Sequence, residues 1–429
     1  MESVFKSIQR PRTHTIAFRL APTHVAYANG LRRLCMTTVE TVGFRADIGE
    51  DGSTTDVQIL ANSTPMTNEM LAHRVGLLPI HVKDPMSWEP DRYQFVLDKV
   101  NDTDEPMDIF ASHFRVMEKQ GDEMVALSPQ KTLDFFRPHP ETHDTCLLAT
   151  LKPLLPGGKP EEIRIKAKAT IGVGRENARF IPTSQCAYSY TRDTDPIHEK
   201  QVFDKWLLSA KKIDPATLET DPVKKAPLER EFKTLQINRC YLVDEKGEPV
   251  SFDFNVESVG VLDPEAIVLR GCQAGAELCK QYAEPNLPAD VIVQPVEGRL
   301  VGWDFYFQRQ DHTLGHIVQA WLDQNMVGNG EITFAGYDIP HPLRDEMLIR
   351  VGVKNGEEAT ARQAISTAMG ALAAMFDNWA QQWASAAVPA VAAAAIASAP
   401  AVAAATRRLV RRPTASATAT QQPASGTTK

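Results

Sequence analysis

Cysteine is sparse and unpatterned in this 429-residue chain: Cys35, Cys146, Cys186, Cys240, Cys272 and Cys279 are scattered, with no Cys-x-x-Cys and no histidine at zinc-finger spacing. That argues against a disulfide-stapled secreted scaffold and against a tetrahedral zinc site, and it leaves reduced thiols of an intracellular protein. Basic excess is missing too. The formal net charge is -8 and aromatics make up 7 % of the residues, so neither a phosphate-coating surface nor a row of base-stacking platforms is expected. Met1 to Arg12 carries charges but no apolar core, so no secretory signal is expected.

Long hydrophobic runs fail in a similar way. Trp383 to Thr406 is uncharged and precedes Arg407, Arg408, Arg411 and Arg412, which is the outline of a tail anchor, but it is mostly alanine and is broken by Pro389 and Pro400. Alanine supplies little transfer energy, so no membrane span is expected. Residues 384–429 are expected to form a disordered Ala/Thr/Pro-rich tail. Converging chemistry is also lacking. Asp102/Asp104 and Asp193/Asp195 lie in turn-like segments without basic or glycine-rich context, and Glu69 with His73 offers two ligands and no third, so a hydrogen-bonded structural pair is the expectation there. Gly172-x-Gly174 mimics a phosphate loop, yet Ala178 to Tyr190 reads as extended chain, so no helix N-terminus faces an anion.

What is present suits a globular chain of two or three domains, 43 % hydrophobic and 23 % charged. Ser3 to Leu20 alternates like a strand. Thr23 is placed to cap a helix whose stripe is Val25, Ala28, Leu31, Leu34 and Cys35, with Asn29, Arg32 and Arg33 off that stripe. From Gly43 to Tyr190 short strands and turns dominate, interrupted by a helix from Asn68 to Val75 that Gly76 and Pro79 end. A charged connector follows, with a helix around Val202 to Leu208. Phe252 to Val256 then reads as a strand, and Asp263-Pro264 opens a long helix to about Tyr282.

After a Pro-rich stretch the opening pattern recurs in miniature. Val301 to Arg309 is strand-like and Asp311 to Gln324 is an amphipathic helix with Leu314, Ile317, Val318, Trp321 and Leu322 on one side. Ile332 to Phe334 and Met347 to Val353 read as strands, and Thr360 to Trp383 as a long Ala-rich helix. Neither module can bury its helices alone, so they are expected to pack on one another. Gly30 and Gly315 sit inside helices, where glycine costs about 1 kcal/mol relative to alanine, and close helix approach is the expected compensation. Pro340-His341-Pro342 is expected to fix a turn.

Particular motifs carry a family resemblance. Ala28-Asn29-Gly30-Leu31-Arg32-Arg33 and Leu71-Ala72-His73-Arg74-Val75-Gly76-Leu77-Leu78-Pro79 resemble the third subunit of eukaryotic RNA polymerase II and its archaeal counterpart, as do Gly172 to Pro182 and Phe254 to Gly260. Asp311-His312-Thr313-Leu314-Gly315 and Phe334 to Leu343 resemble the small eleventh subunit and its archaeal counterpart. Both families are relatives of the bacterial α subunit. The order of both in one chain is similar to a fusion found among large DNA viruses of eukaryotes, which would place the protein in a host nucleus or cytoplasm or, when packaged, in the virion.

The resemblance implies an α+β fold of two α-subunit-like dimerisation modules forming an intramolecular pseudo-dimer. Residues 1–42 and 191–284 would build the first, 43–190 an inserted β-rich domain, 285–300 a linker and 301–383 the second module. It implies a non-catalytic assembly platform for the two largest RNA polymerase subunits, with other small subunits as partners and DNA or RNA met only through the complex; a stand-alone nucleic-acid-binding transcription regulator is the alternative. Asn29, Arg32 and Arg33 would dock a large subunit, and Leu31, Leu34, Leu314, Val318 and Leu322 would line the module interface. The second helix has His316, Gln319 and Ala320 where the family has Asn and Arg, which weakens docking through it. Relatives hold zinc or an iron-sulfur cluster in the inserted domain; His81 to Val100 has no cysteine, so no cofactor is expected here, and Mg²⁺ belongs to the partner large subunits.

Overall fold

A computed structural model describes residues 3–47, 56–139, 141–219 and 221–387. The tail from residue 388 onward, including the arginine cluster, lies outside the described residues. Among those described, no helix is long and apolar enough to cross a membrane.

Nine α-helices organise the described chain: α1 (Val25–Thr37), α2 (Asn68–Gly76), α3 (Pro129–Phe135), α4 (Pro196–Trp206), α5 (Pro215–Glu219), α6 (Pro222–Glu231), α7 (Pro264–Lys280), α8 (His312–Leu322) and α9 (Glu358–Ala387). The first module is a four-stranded antiparallel sheet in the order Phe5–Arg12, Thr15–Leu20, Phe252–Ser258, Thr183–Tyr190, backed by α1 and α7. Alternation sets its inner face: Phe252, Phe254 and Val256 are buried and stand in register with Leu20, Phe18 and Ile16. The second module repeats this with the strands Val291–Pro295, Gly302–Gln308, Glu346–Gly352 and Phe334–Asp338, backed by α8 and α9.

Helices of both modules share one hydrophobic core that runs from Phe5 to Trp383. α9 turns the same face inward over its whole length: Ala361, Ile365, Ala368, Leu372, Phe376, Trp379 and Trp383 recur at helical spacing and are buried. At its end Trp383 is fully buried, meets Phe5 and Phe18 edge-on at 4.9 and 4.8 Å, and donates its indole N–H to the Glu265 carbonyl at the start of α7. The inserted domain has a core of its own around Phe44, Phe95, Phe114 and Phe136, beneath a five-stranded sheet.

Several expectations need correction. Ser3 to Leu20 is a hairpin of two strands. The α1 cap is His24, whose Nδ1 accepts the Ala26 amide at 3.2 Å, because the Thr23 amide is tied to the Val250 carbonyl and holds that residue in extended chain. The inserted domain ends before residue 190: Thr183–Tyr190 belongs to the first module's sheet, where Cys186 and Tyr188 stand beside Val256 and Phe254. Residues 191–251 are more than a connector, since α4 to α6 close a satellite core of Phe203, Trp206, Leu207, Leu218, Phe232 and Cys240. Residues 285–300 contain Val291–Pro295, which pairs with Gly302–Gln308 as an edge strand of the second sheet. The last strand pair begins at Phe334, with Ile332 buried ahead of it, and α9 carries the second module past residue 383 to Ala387.

Trp383→Ala removes the fully buried indole that joins the end of α9 to the first sheet. It is expected to lower the unfolding free energy by about 3–5 kcal/mol, read as a shift in urea midpoint with unchanged slope.

Candidate functional site

The two modules meet along a seam of paired helices. α1 and α8 run antiparallel: Arg33 reaches Asp311 and Thr313 at the start of α8, Gly30 lies against Ile317 at its middle, and the Tyr27 hydroxyl lies 3.3 Å from Gln324 Oε1 beyond its end. A Cβ on Gly30 would stand 2.8 Å from Ile317 Cγ2, so only glycine lets the helices come this close. The expected compensation holds at Gly30. At Gly315 it differs: that residue faces the Tyr337 ring of a neighbouring strand, not a helix. α7 and α9 make the most extensive helix contact in the described chain. There a Cβ on Gly275 would stand 2.8 Å from Leu34 of α1 and 3.0 Å from the Phe376 ring of α9. Leu31, Leu34, Leu314, Val318 and Leu322 are all fully buried in the shared core. Ile317, Gly275 and Phe376 complete the seam. Of these, Ile317 lies on the apolar stripe that the sequence shows, whereas no spacing rule names Gly275 and Phe376 as partners.

The arginine pair divides. Arg33 does not face outward: its Nε donates to the Thr313 hydroxyl at 2.8 Å and its Nη2 meets the Asp311 carboxylate at 3.2 Å. One residue further back, Arg32 turns the other way. Its Nε donates to the Asn29 side chain at 3.0 Å and its Nη1 approaches Met36 sulfur, while among the described residues no carboxylate pairs with it. Asn29 and Arg32 are both half-exposed. A turn of about 100° per residue separates the two guanidiniums, so one faces the seam and the other the outside. Asp311 is pushed up by burial, but the Thr313 hydroxyl and amide, together with Arg175 and Arg33, hold its carboxyl below the usual range.

The Gly172 to Pro182 segment is a structural clamp between the modules and the inserted domain. Gly174 backs onto the Met36 carbonyl at the end of α1, leaving no room for a side chain. Arg175 crosses to Asp345 of the second module at 3.1 Å, and Arg179 donates to the Phe44 carbonyl at 2.9 Å. On the other side, Arg270 of α7 grips Glu40 with two bonds of 2.7 Å and also Glu277, which fixes the strand leading into the inserted domain. The extended chain expected from Ala178 begins only at Thr183, because Ala178–Phe180 closes a single 3-10 turn in which the Asn177 side chain accepts the Arg179 amide.

On α2, Leu71, Ala72 and Val75 are buried, whereas His73 and Leu77 are exposed and Arg74 donates to the Leu147 and Leu148 carbonyls. Glu69 does not pair with His73. Its carboxyl is held below the usual range by its own amide and the Thr67 hydroxyl at the helix start. Asp193 meets His198 at 2.8 Å and Asp195 caps α4, so this acidic pair is spent on local structure. Among the described residues no group of three or more His, Cys, Asp or Glu converges as metal ligands would. In the second module His316 packs beside Tyr337, and burial, with His24 and His312 nearby, pushes its pKa down; where α1 has Arg32 and Arg33, α8 has Gln319 and Ala320 and no Lys or Arg anywhere along it.

Comparison with known proteins agrees with this geometry. The RNA polymerase Rpb3/Rpb11 dimerisation domain matches residues 17–279, and a second form of that domain matches residues 303–382. The chain is 24 % identical over 262 residues to DNA-directed RNA polymerase subunit Rpo3 of Methanothermobacter thermautotrophicus, covering 60 % of this chain and 89 % of that protein. It is 24 % identical over 307 residues to DNA-directed RNA polymerases I and III subunit RPAC1 of Homo sapiens, covering 63 % and 81 %. It is 25 % identical over 272 residues to DNA-directed RNA polymerase II subunit RPB3 of Schizosaccharomyces pombe, covering 62 % and 81 %. With matches spanning both modules and more than half of its length, the chain belongs to the RNA polymerase Rpb3/Rpb11 dimerisation domain family.

Proposed function

We propose that this chain is the non-catalytic assembly platform of a multisubunit DNA-directed RNA polymerase, carrying both halves of the Rpb3/Rpb11-type pair in one polypeptide as an internal pseudo-heterodimer. The observation that carries the reading is the seam itself: two family domains in one chain whose helices α1 with α8 and α7 with α9 close a single core. Its partners are the two large catalytic subunits and other small subunits. DNA and RNA are met through the complex, the Mg²⁺ chemistry lies in the large subunits, and this chain holds no metal of its own. The arrangement is that of large DNA viruses of eukaryotes. An independent nucleic-acid-binding regulator is disfavoured by the net charge of -8.

Arg32, steadied by Asn29, is the cation that a large-subunit carboxylate pairs with, because of the two adjacent arginines it is the one with no internal acid among the described residues. Arg33 contributes to the seam. Arg32→Glu is expected to abolish co-purification of the second-largest subunit from cells expressing both chains while the melting temperature stays within about 2 °C of wild type, as for a surface substitution. Arg33→Glu is expected to lower the melting temperature by more than that. Undiminished capture by the Arg32→Glu chain would remove this residue from the interface.

Tethering places the modules at an effective concentration of order mM. The isolated chain is therefore expected to scatter light as a monomer at low micromolar concentration. A stable dimer would overturn the internal pairing.

A further inference from the structure

We propose that the seam carries a pairing code, in size and in charge, that makes the first module select the second-type module and reject another copy of itself. The inference rests on the internal pairing proposed above and goes further, assigning the selection to named contacts.

The size part is read from two contacts that repeat one pattern. Gly30 of α1 lies under Ile317 of α8, and Gly275 of α7 lies under Phe376 of α9. In both the missing side chain belongs to the first module and a bulky side chain of the second faces it, although Gly275 also lies against Leu34 of its own module. The charge part has the same direction. Arg33 pairs with Asp311 at 3.2 Å, Arg175 with Asp345 at 3.1 Å and Lys280 with Asp377 at 2.7 Å, each with the carboxylate on the second module and the cation on the first module or on the clamp that abuts it.

Self-pairing fails on both counts. In an isologous pair the same residues meet across a two-fold axis. Two copies of α1 crossing at Gly30 would set glycine on glycine and leave a void, and Arg33 would approach the opposite copy's Tyr27 end, on a helix with no Asp or Glu. Two copies of α8 crossing at Ile317 would press two β-branched side chains into space for one. Asp311 would then meet a helix with no Lys or Arg. A second α7 in place of α9 would bring no aromatic ring to Gly275. Each exposed ion pair is weak alone, but together they penalise the wrong partner through unpaired charge while the glycine contacts penalise it through voids or clashes.

The test exchanges volume across the seam in the full chain. Gly30→Val alone is expected to lower the thermal midpoint by about 5 °C or more and Ile317→Ala by a smaller amount. The double variant G30V/I317A is expected to recover at least half of the combined loss, because the removed methyl groups make room for the added ones. Co-expressing the G30V chain with the I317A chain is expected to yield a species of twice the monomer mass. Reciprocal module exchange there sets the introduced valine against the introduced alanine, and the native glycine against the native isoleucine. If G30V alone is insoluble, a soluble double variant supports the code and an equally insoluble one contradicts it. A double variant that loses the sum of the single effects, with only monomers on co-expression, overturns the code. A wild-type chain that is already dimeric overturns the internal pairing instead, so the two failures are distinguishable.

Discussion

Gly30 can lie against Ile317 only with nothing on its Cα, and that absence sets how closely α1 and α8 approach. The separation in turn decides whether Leu31, Leu34, Leu314 and Val318 reach fully dry surroundings or leave a gap that water could enter. The cost of a glycine in mid-helix is about 1 kcal/mol against alanine, and it is offset by the packing of a core that neither module closes alone. α7 and α9 repeat the arrangement at Gly275 and Phe376. With the helices fixed, the two four-stranded sheets lie on either side of one core, and the outward residues of α1 acquire a fixed orientation.

From this seam follow the roles of residues that look alike in the sequence. Arg32 and Arg33 are neighbours of the same chemistry, yet one turn angle places Arg33 on Asp311 and Thr313 and leaves Arg32 beside Asn29, facing out. In the proposed docking a rigid presentation would matter, because a guanidinium already held by Asn29 would lose less freedom on binding a carboxylate. The Arg270 grip on Glu40 and Glu277, and the Arg179 bond to the Phe44 carbonyl, extend the same rigidity into the inserted domain. A partner touching α1, α2 and the clamp would therefore meet surfaces that move as a unit.

Much of this is legible in the residues alone. Helices with a continuous apolar stripe, α1, α7, α8 and α9, are found where periodicity places them, because burial on a shared face is the signal that periodicity reads. The fold class comes from the family resemblance that the motifs carry, alongside this repetition. What is not legible depends on distant partners. Thr183–Tyr190 reads as part of the inserted domain until its pairing with Phe252–Ser258 is known, and Val291–Pro295, set within a Pro-rich stretch, reads as linker until Gly302–Gln308 accepts it as an edge strand. Likewise the sequence shows Arg32 and Arg33 as one basic pair; only the position of Asp311, 278 residues beyond Arg33, separates them.

One chain supplying both halves of the platform is the claim on which the rest stands. Affinity purification of the tagged chain from its native source, with quantitative mass spectrometry of the intact assembly, tests this most directly. One copy of this chain per pair of large RNA polymerase subunits is predicted, with no separate eleventh-type subunit. Recovery without the large subunits, or with a separate eleventh-type subunit at equal stoichiometry, would contradict it.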